Sequence, residues 1–102
     1  MDTFKSLEKP KPGRRDAKYQ RWIHKQICCV SGRRPVVMHH VRRDFYGLGL
    51  KPDDRFVVPL HETLHLELHT IGSTTFERKY RVDLLALADQ FWREYSDEQK
   101  SS

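Results

Sequence analysis

The amino-acid sequence predicts an α+β protein in which one β-hairpin lies among four helices. Its 102 residues are enough for a single domain with a modest hydrophobic core. Two short stretches, at 35–38 and 55–58, each contain a pair of valines and are typical of strands. Apolar residues recur at helical spacing in the segments before and after these stretches. We expect a flexible basic arm over residues 1–15, one domain over residues 16–97 and a disordered tail over residues 98–102.

The first predicted element is a helix that follows the basic arm. Asp16 is suited to be its N-cap, and Tyr19, Trp22 and Ile23 follow at i, i+3 and i+4 spacing, which places them on one apolar stripe. A similar stripe follows Asp83, a second suitable N-cap, in the last predicted helix. Both stripes indicate packing against a core rather than a binding site.

The two predicted strands lead into the histidines of the chain. The first strand runs directly into the pair His39-His40, and a loop over residues 41–54 precedes the second strand. A helix that carries three further histidines follows the second strand. Pro59 fits the first turn of this helix, where its missing N–H group costs no hydrogen bond, and Gly72 fits the C-terminal end.

Charge and composition restrict the classes of function. The formal net charge is +5, and the excess of lysine and arginine lies in the N-terminal arm and around the histidines. A polyanion is therefore the indicated partner, with salt-dependent binding, and a merely solvated basic surface is the alternative. No stretch is apolar enough for a signal peptide or a membrane span, and the adjacent Cys28 and Cys29 do not form a disulfide framework. We therefore expect a cytoplasmic protein.

Five of the six histidines lie between residues 39 and 69, which indicates a metal site. His61, His65 and His69 are spaced four residues apart and therefore lie along one helix face. One interpretation is that His61 and His65 form the H-E-x-x-H zinc site of metalloproteases, with Glu62 as general base. Its context is poor, because no further ligand lies at the spacing of the known zincin families.

The other interpretation combines the tandem histidine pair with His65 and His69 across the hairpin. In this region the sequence resembles the HNH, or ββα-metal, nucleases, and within that family the small phage-borne HNH proteins. The resemblance covers roughly residues 19–95. It is carried by three segments, WIHKQICCVSGRRPVVMHHV, GLGLKPDD and RFVVPLHETLHLELHTIG.

The resemblance implies a ββα-metal core with one N-terminal helix and two C-terminal helices. It also implies a DNA endonuclease that hydrolyses phosphodiester bonds with one divalent ion, which is Mg²⁺, Mn²⁺, Zn²⁺ or Ni²⁺. By residue, it makes His39, His65 and His69 metal ligands and His40 the general base. Strand geometry agrees with this division, because neighbouring strand residues point to opposite faces. A role in phage or bacterial DNA recombination, with a RecA-like recombinase as a partner, is implied in the same way.

The chain departs from the family pattern at the structural zinc that these proteins often hold. The four corresponding positions are Cys28, Ser31, His61 and Leu64. Serine and leucine are not useful zinc ligands, and one of them falls in each half of the expected site. We therefore expect the structural zinc to be lost and a single catalytic ion to remain.

A second departure concerns the asparagine that orients the general base in the family. Its position falls near Phe56, which has no hydrogen-bonding group in its side chain. Asp54 is our candidate for this orienting role, and Asp53 is a weaker one. The alternative for either residue is that it closes the turn before the second strand.

Several cations near the histidines are expected to contact DNA phosphates. Arginine binds phosphate with a bidentate fork, and such contacts fix register without reading sequence. A non-catalytic DNA-binding or recombination accessory module with a degenerate HNH fold is the alternative function. The expected phosphate contacts are Arg33, Arg34, Arg42, Arg43 and Lys51.

Overall fold

The structure, a computed structural model, describes residues 16–41 and 54–101. These residues contain one two-stranded sheet and four helices, which confirms the α+β class and the predicted order of the elements. The predicted basic arm over residues 1–15 lies outside the described residues. In chain order the elements are α1 (Ala17–His24), β1 (Val36–His40), β2 (Val57–His61), α2 (Glu62–Ile71), α3 (Ser73–Tyr80) and α4 (Leu84–Ser101).

Strands β1 and β2 pair antiparallel, from Val36 opposite His61 to His40 opposite Val57. The prediction that Pro59 begins a helix is wrong, because β2 continues through this residue. The Pro59 carbonyl accepts a hydrogen bond from the Cys29 N–H at 3.0 Å, on the side of β2 away from β1. The proline nitrogen points to that same side, so the ladder between the strands loses no hydrogen bond.

The helix ends follow ordinary capping chemistry. As predicted, Asp16 caps α1 by accepting a hydrogen bond from the Tyr19 N–H at 3.1 Å. Asp83 accepts one from the Ala86 N–H, also at 3.1 Å, in the first turn of α4. Gly72 ends α2 with a φ of 87°, which favours glycine. Helix α4 continues to Ser101 and so passes the expected domain end at residue 97.

The core forms on both faces of β2. On one face, Val58 and Leu60 belong to an apolar cluster that includes buried residues of α2, α3 and α4. On the other face, Val57 packs with Tyr19 of α1 and Tyr95 of α4. Strand β2 is therefore buried on both faces. Within the described ranges, no helix has the length and apolar composition needed to cross a membrane.

Candidate metal centre and neighbouring histidine

The three predicted ligands come together at the side of the hairpin. His39 projects from β1, and His65 and His69 project from one face of α2, where a spacing of four residues brings side chains together. One possible ligand atom from each residue lies within 4.8 Å of the others. The Nε2 atoms of His65 and His69 are 3.1 Å apart. The ring centroid of His39 is 5.1 Å from that of His65 and 5.6 Å from that of His69.

This spacing fits the ligands of a transition-metal ion. Zinc–imidazole bonds are about 2.0–2.1 Å long, so two ligands in tetrahedral geometry have nitrogens about 3.3 Å apart. The measured separation of 3.1 Å between the Nε2 atoms of His65 and His69 is close to that value. A hydrogen bond between the two rings would give a similar distance. The third imidazole, His39, favours the metal interpretation because it completes a convergent donor set.

The electrostatics of the cluster also suit a metal. Burial, and secondarily the neighbouring imidazoles, lower the pKa of His39 to about 4. Burial, and then the adjacent His69, lower the pKa of His65 as well. At neutral pH these two rings are therefore uncharged, and the neutral imidazole is the form that binds a metal. Three imidazole nitrogen donors suit zinc, nickel or cobalt better than magnesium.

His40, the next residue on β1, has a different partner. Its Nε2 lies 2.7 Å from Oδ1 of Asp54, a side chain with no exposed surface. The other carboxylate oxygen, Oδ2, accepts hydrogen bonds from the Asp16 backbone N–H at 2.8 Å and from Gln20 Nε2 at 2.5 Å. The residue that the sequence suggested for orienting His40 is therefore in contact with it.

The protonation of this pair follows from the partners of the carboxylate. Burial raises the pKa of Asp54, but hydrogen bonds from Gln20, His40 and Asp16 outweigh burial and lower the pKa below its usual value. An ionised carboxylate only accepts hydrogen bonds, so the proton between the two side chains lies on His40 Nε2. In the neutral imidazole, Nδ1 then carries the free lone pair and is the nitrogen that can accept a proton.

The three clustered histidines and His40 line one cavity. Its volume is about 460 Å³, and its lining includes His39, His40, His65 and His69. Ser73, the first residue of α3, also lines the cavity. If the three imidazoles held a cation, it would lie in the same cavity as the His40 ring, an arrangement that is compatible with metal-assisted hydrolysis.

Comparison with known proteins places the chain in a family. The family described as "Protein of unknown function (DUF968)" matches residues 3–96. The chain belongs to the DUF968 family. It is also 40% identical over 68 residues to "Uncharacterized protein YdfU" of Escherichia coli (strain K12), an alignment that covers 66% of this chain and 19% of that protein. The DUF968 chain thus spans about a fifth of the length of that relative. No solved structure matches it.

The four positions expected for a structural zinc lie in a turn, at Cys28 and Ser31, and at the junction of β2 and α2, at His61 and Leu64. The Sγ atom of Cys28 accepts hydrogen bonds from the backbone N–H groups of Val30 and Ser31, at 3.5 and 3.3 Å. Leu64 packs against the apolar cluster that contains Cys28. Among the residues described, the group of His39, His65 and His69 is the one set of three potential ligands that converges. Loss of the structural zinc stays a prediction.

His61 belongs to the helix end rather than to the cluster of His39, His65 and His69. It is the N-cap of α2, and its Nδ1 accepts a hydrogen bond from the Thr63 N–H at 3.2 Å. Glu62, the next residue, is exposed. An H-E-x-x-H zinc site needs both of its histidines on one ion, but the converging group contains His65 without His61. The DUF968 geometry therefore does not assemble the protease site.

Two of the expected phosphate contacts are described, and both are exposed. Arg33 and Arg34 lie in the turn before β1, and Arg34 Nη2 donates a hydrogen bond to the Lys25 carbonyl at 3.3 Å. Arg42, Arg43, Lys51 and the weaker orienting candidate Asp53 lie outside the described residues.

Sequence reasoning missed Gln20 and the backbone N–H of Asp16 as partners of Asp54. The two residues lie one helical turn apart, but nothing in the spacing of α1 points to an acceptor so far away in the chain.

Proposed function

We propose that this DUF968 protein is a metal-dependent endonuclease of the HNH, or ββα-metal, type that hydrolyses phosphodiester bonds in DNA. The observation that carries the proposal is the arrangement of two sites in one cavity. A cluster of three imidazoles adjoins a histidine whose Nε2 contacts a buried carboxylate. A hairpin that runs without a linker into the ligand-bearing helix is the supporting architecture.

The residues of the chain supply the groups that hydrolysis requires. His39, His65 and His69 would hold the divalent ion, which stabilises negative charge on the scissile phosphate and on the leaving oxygen. Nδ1 of His40 would accept the proton of the attacking water. Asp54 would hold the ring in the required tautomer and stabilise the imidazolium that forms.

DNA is the proposed substrate because of the charge of the chain and the nature of its exposed groups. The net charge of +5 favours a polyanion, and Arg33 and Arg34 are exposed close to the strand that carries His39 and His40. Phosphate contacts by Arg42, Arg43 and Lys51 stay predictions. Recombination in a phage or bacterial cytoplasm, and a RecA-like recombinase as partner, belong to the same proposal and rest on the sequence resemblance.

The proposal is tested by incubating the purified full chain with supercoiled plasmid and Mg²⁺, Mn²⁺, Zn²⁺ or Ni²⁺. We expect nicked or linear DNA with at least one ion and none in the presence of a chelator. Replacement of the general base, His40→Ala, should lower the rate by about 10²-fold or more. Glu62→Ala should leave it unchanged, because Glu62 is exposed and the converging ligand group does not include it.

Two results would contradict the proposal. Cleavage at an unchanged rate by the His40→Ala variant would show that His40 is not the general base. Absence of cleavage with every ion, together with retained DNA binding, would favour the non-catalytic accessory module.

A further inference from the structure

The first turn of α1 contacts the Asp54 carboxylate, and this carboxylate also contacts His40. The Asp16 backbone N–H and the Gln20 side chain both donate to Oδ2 of Asp54, while His40 Nε2 donates to Oδ1. Each carboxylate oxygen thus has its own partners. Three segments that are distant in the chain, around residues 16–20, 40 and 54, meet at one buried side chain.

Two donors on one oxygen restrict the rotation of the carboxylate. An aspartate side chain turns readily about its last torsion, which is broad and roughly two-fold. With Oδ2 held by both Asp16 and Gln20, Oδ1 is directed at His40. Both donors are fixed to one helical turn, because the Gln20 N–H donates to the Asp16 carbonyl at 2.9 Å.

Helix α1 has its own anchorage and does not depend on Gln20 to remain in place. Tyr19 and Ile23 have no exposed surface. The Tyr19 ring packs at 4.9 Å, between centroids, from the rings of both Trp92 and Tyr95 in α4. Gln20 itself is half-buried. Its hydrogen bond to a carboxylate is therefore separable from the packing that holds the helix.

We infer that Gln20 is a positioning residue for His40 that acts through Asp54, so that the first turn of α1 belongs to the active site. The catalytic consequence of this inference rests on the proposed nuclease function. Its structural content, which is the fixed orientation of the His40 ring, does not depend on DNA cleavage.

The orientation is tested by nuclear magnetic resonance of the zinc-loaded full chain with ¹⁵N-labelled histidine. In the unaltered protein the His40 Nε2–H should give a slowly exchanging signal, because it is donated to a buried carboxylate. Gln20→Leu, or Gln20→Met if the first variant does not fold, should lose this signal through faster exchange. Gln26→Leu is the matched control, since Gln26 is also half-buried and donates to the Trp22 carbonyl at 3.0 Å. A signal that persists unchanged in both Gln20 variants would overturn the inference.

The catalytic consequence is tested by a double-mutant cycle in the plasmid assay. Gln20→Leu should lower kcat by about tenfold with KM unchanged, because a misplaced base slows the chemical step. In the Asp54→Ala background the same change should cost at most about twofold, since Gln20 would have nothing left to position. A purely structural role would lower kcat equally in both backgrounds, which would refute the inference. If the unaltered protein cleaves no DNA, the nuclease proposal fails, and the resonance measurement still decides the role of Gln20.

Discussion

Replacing the buried Asp54 carboxylate should destabilise the protein and remove one source of its pH dependence. Asp54→Asn keeps the shape of the side chain but offers one carbonyl oxygen in place of two charged acceptors. If its amide nitrogen faced α1, it would meet two other donors, the Asp16 N–H and Gln20 Nε2, and if it faced His40, it would force the ring into the other tautomer. A hydrogen bond to a charged group contributes about 1.5–3 kcal/mol, so we expect the free energy of unfolding at pH 7 to fall by about 2–4 kcal/mol.

The pH dependence of this loss has a definite sign. Hydrogen bonds hold the pKa of Asp54 in the folded protein below its usual value, which is about 3.9 for an unfolded chain. The stability that the carboxylate provides is thus fully present above pH ~4 and is lost as the pH falls through the lowered pKa. The difference in unfolding free energy between the unaltered protein and Asp54→Asn should therefore be constant near neutrality and shrink in acid.

Urea unfolding followed by tryptophan fluorescence measures this difference. Both tryptophans, Trp22 and Trp92, belong to the aromatic cluster around α1, so their emission reports on the affected region. Asp89→Asn is the control, because Asp89 is exposed and pairs only at the surface with Arg93, at 3.0 Å. That change should cost less than ~1 kcal/mol. A loss in Asp54→Asn that matches the control, or that grows as the pH falls, would refute the assignment of Asp54 as a buried ionised acceptor.

Three further predictions concern the metal, the core and DNA. His65→Ala should weaken zinc or nickel binding in calorimetry by about 100-fold or more, whereas His61→Ala should leave it unchanged and cost only about 1 kcal/mol of stability for a lost N-cap. An unaltered affinity of His65→Ala for zinc and nickel would show that His65 is not a metal ligand. Leu60→Ala, at a fully buried position of β2, should lower the unfolding free energy by about 2–5 kcal/mol. A decrease in unfolding free energy of less than about 1 kcal/mol would contradict the assignment of Leu60 to the core. Replacing Arg33 and Arg34 together by alanine should reduce the slope of log K against log salt for duplex DNA by about 1.8, and an unchanged slope would show that neither contacts phosphate.

The sequence predicts the elements that carry local signals. The four-residue spacing of His65 and His69 places them on one face whatever the fold, and the alternation of strand residues separates His39 from His40. Pro59 was misplaced because its local preference for a helix start competes with pairing between the strands. Strand pairing loses no hydrogen bond when the proline nitrogen faces away from the partner strand. Only the three-dimensional arrangement shows that the nitrogen of Pro59 faces away from β1.

The two partners of Asp54 in α1, the Gln20 side chain and the Asp16 backbone N–H, could not be predicted, for a similar physical reason. A glutamine in the first turn of a helix is an ordinary surface residue by composition. Its contact with Asp54 arises because α1 packs its apolar stripe against β2 and α4. This packing places Gln20 next to the carboxylate. Contacts that depend on how two elements dock have no signature in the spacing of either element alone.

The two halves of the candidate site depend on different parts of the fold. The candidate metal cluster of three histidines needs β1 and α2, which are held together by the hairpin and by apolar residues such as Val58 and Leu68. The orientation of His40 needs α1, because the donors that fix the Asp54 carboxylate lie there. Damage to the packing of α1 should therefore impair the base while metal binding persists. A variant at Tyr19 that binds zinc normally but has lost cleavage would separate the two halves, whereas parallel loss of both would show that the site behaves as one unit.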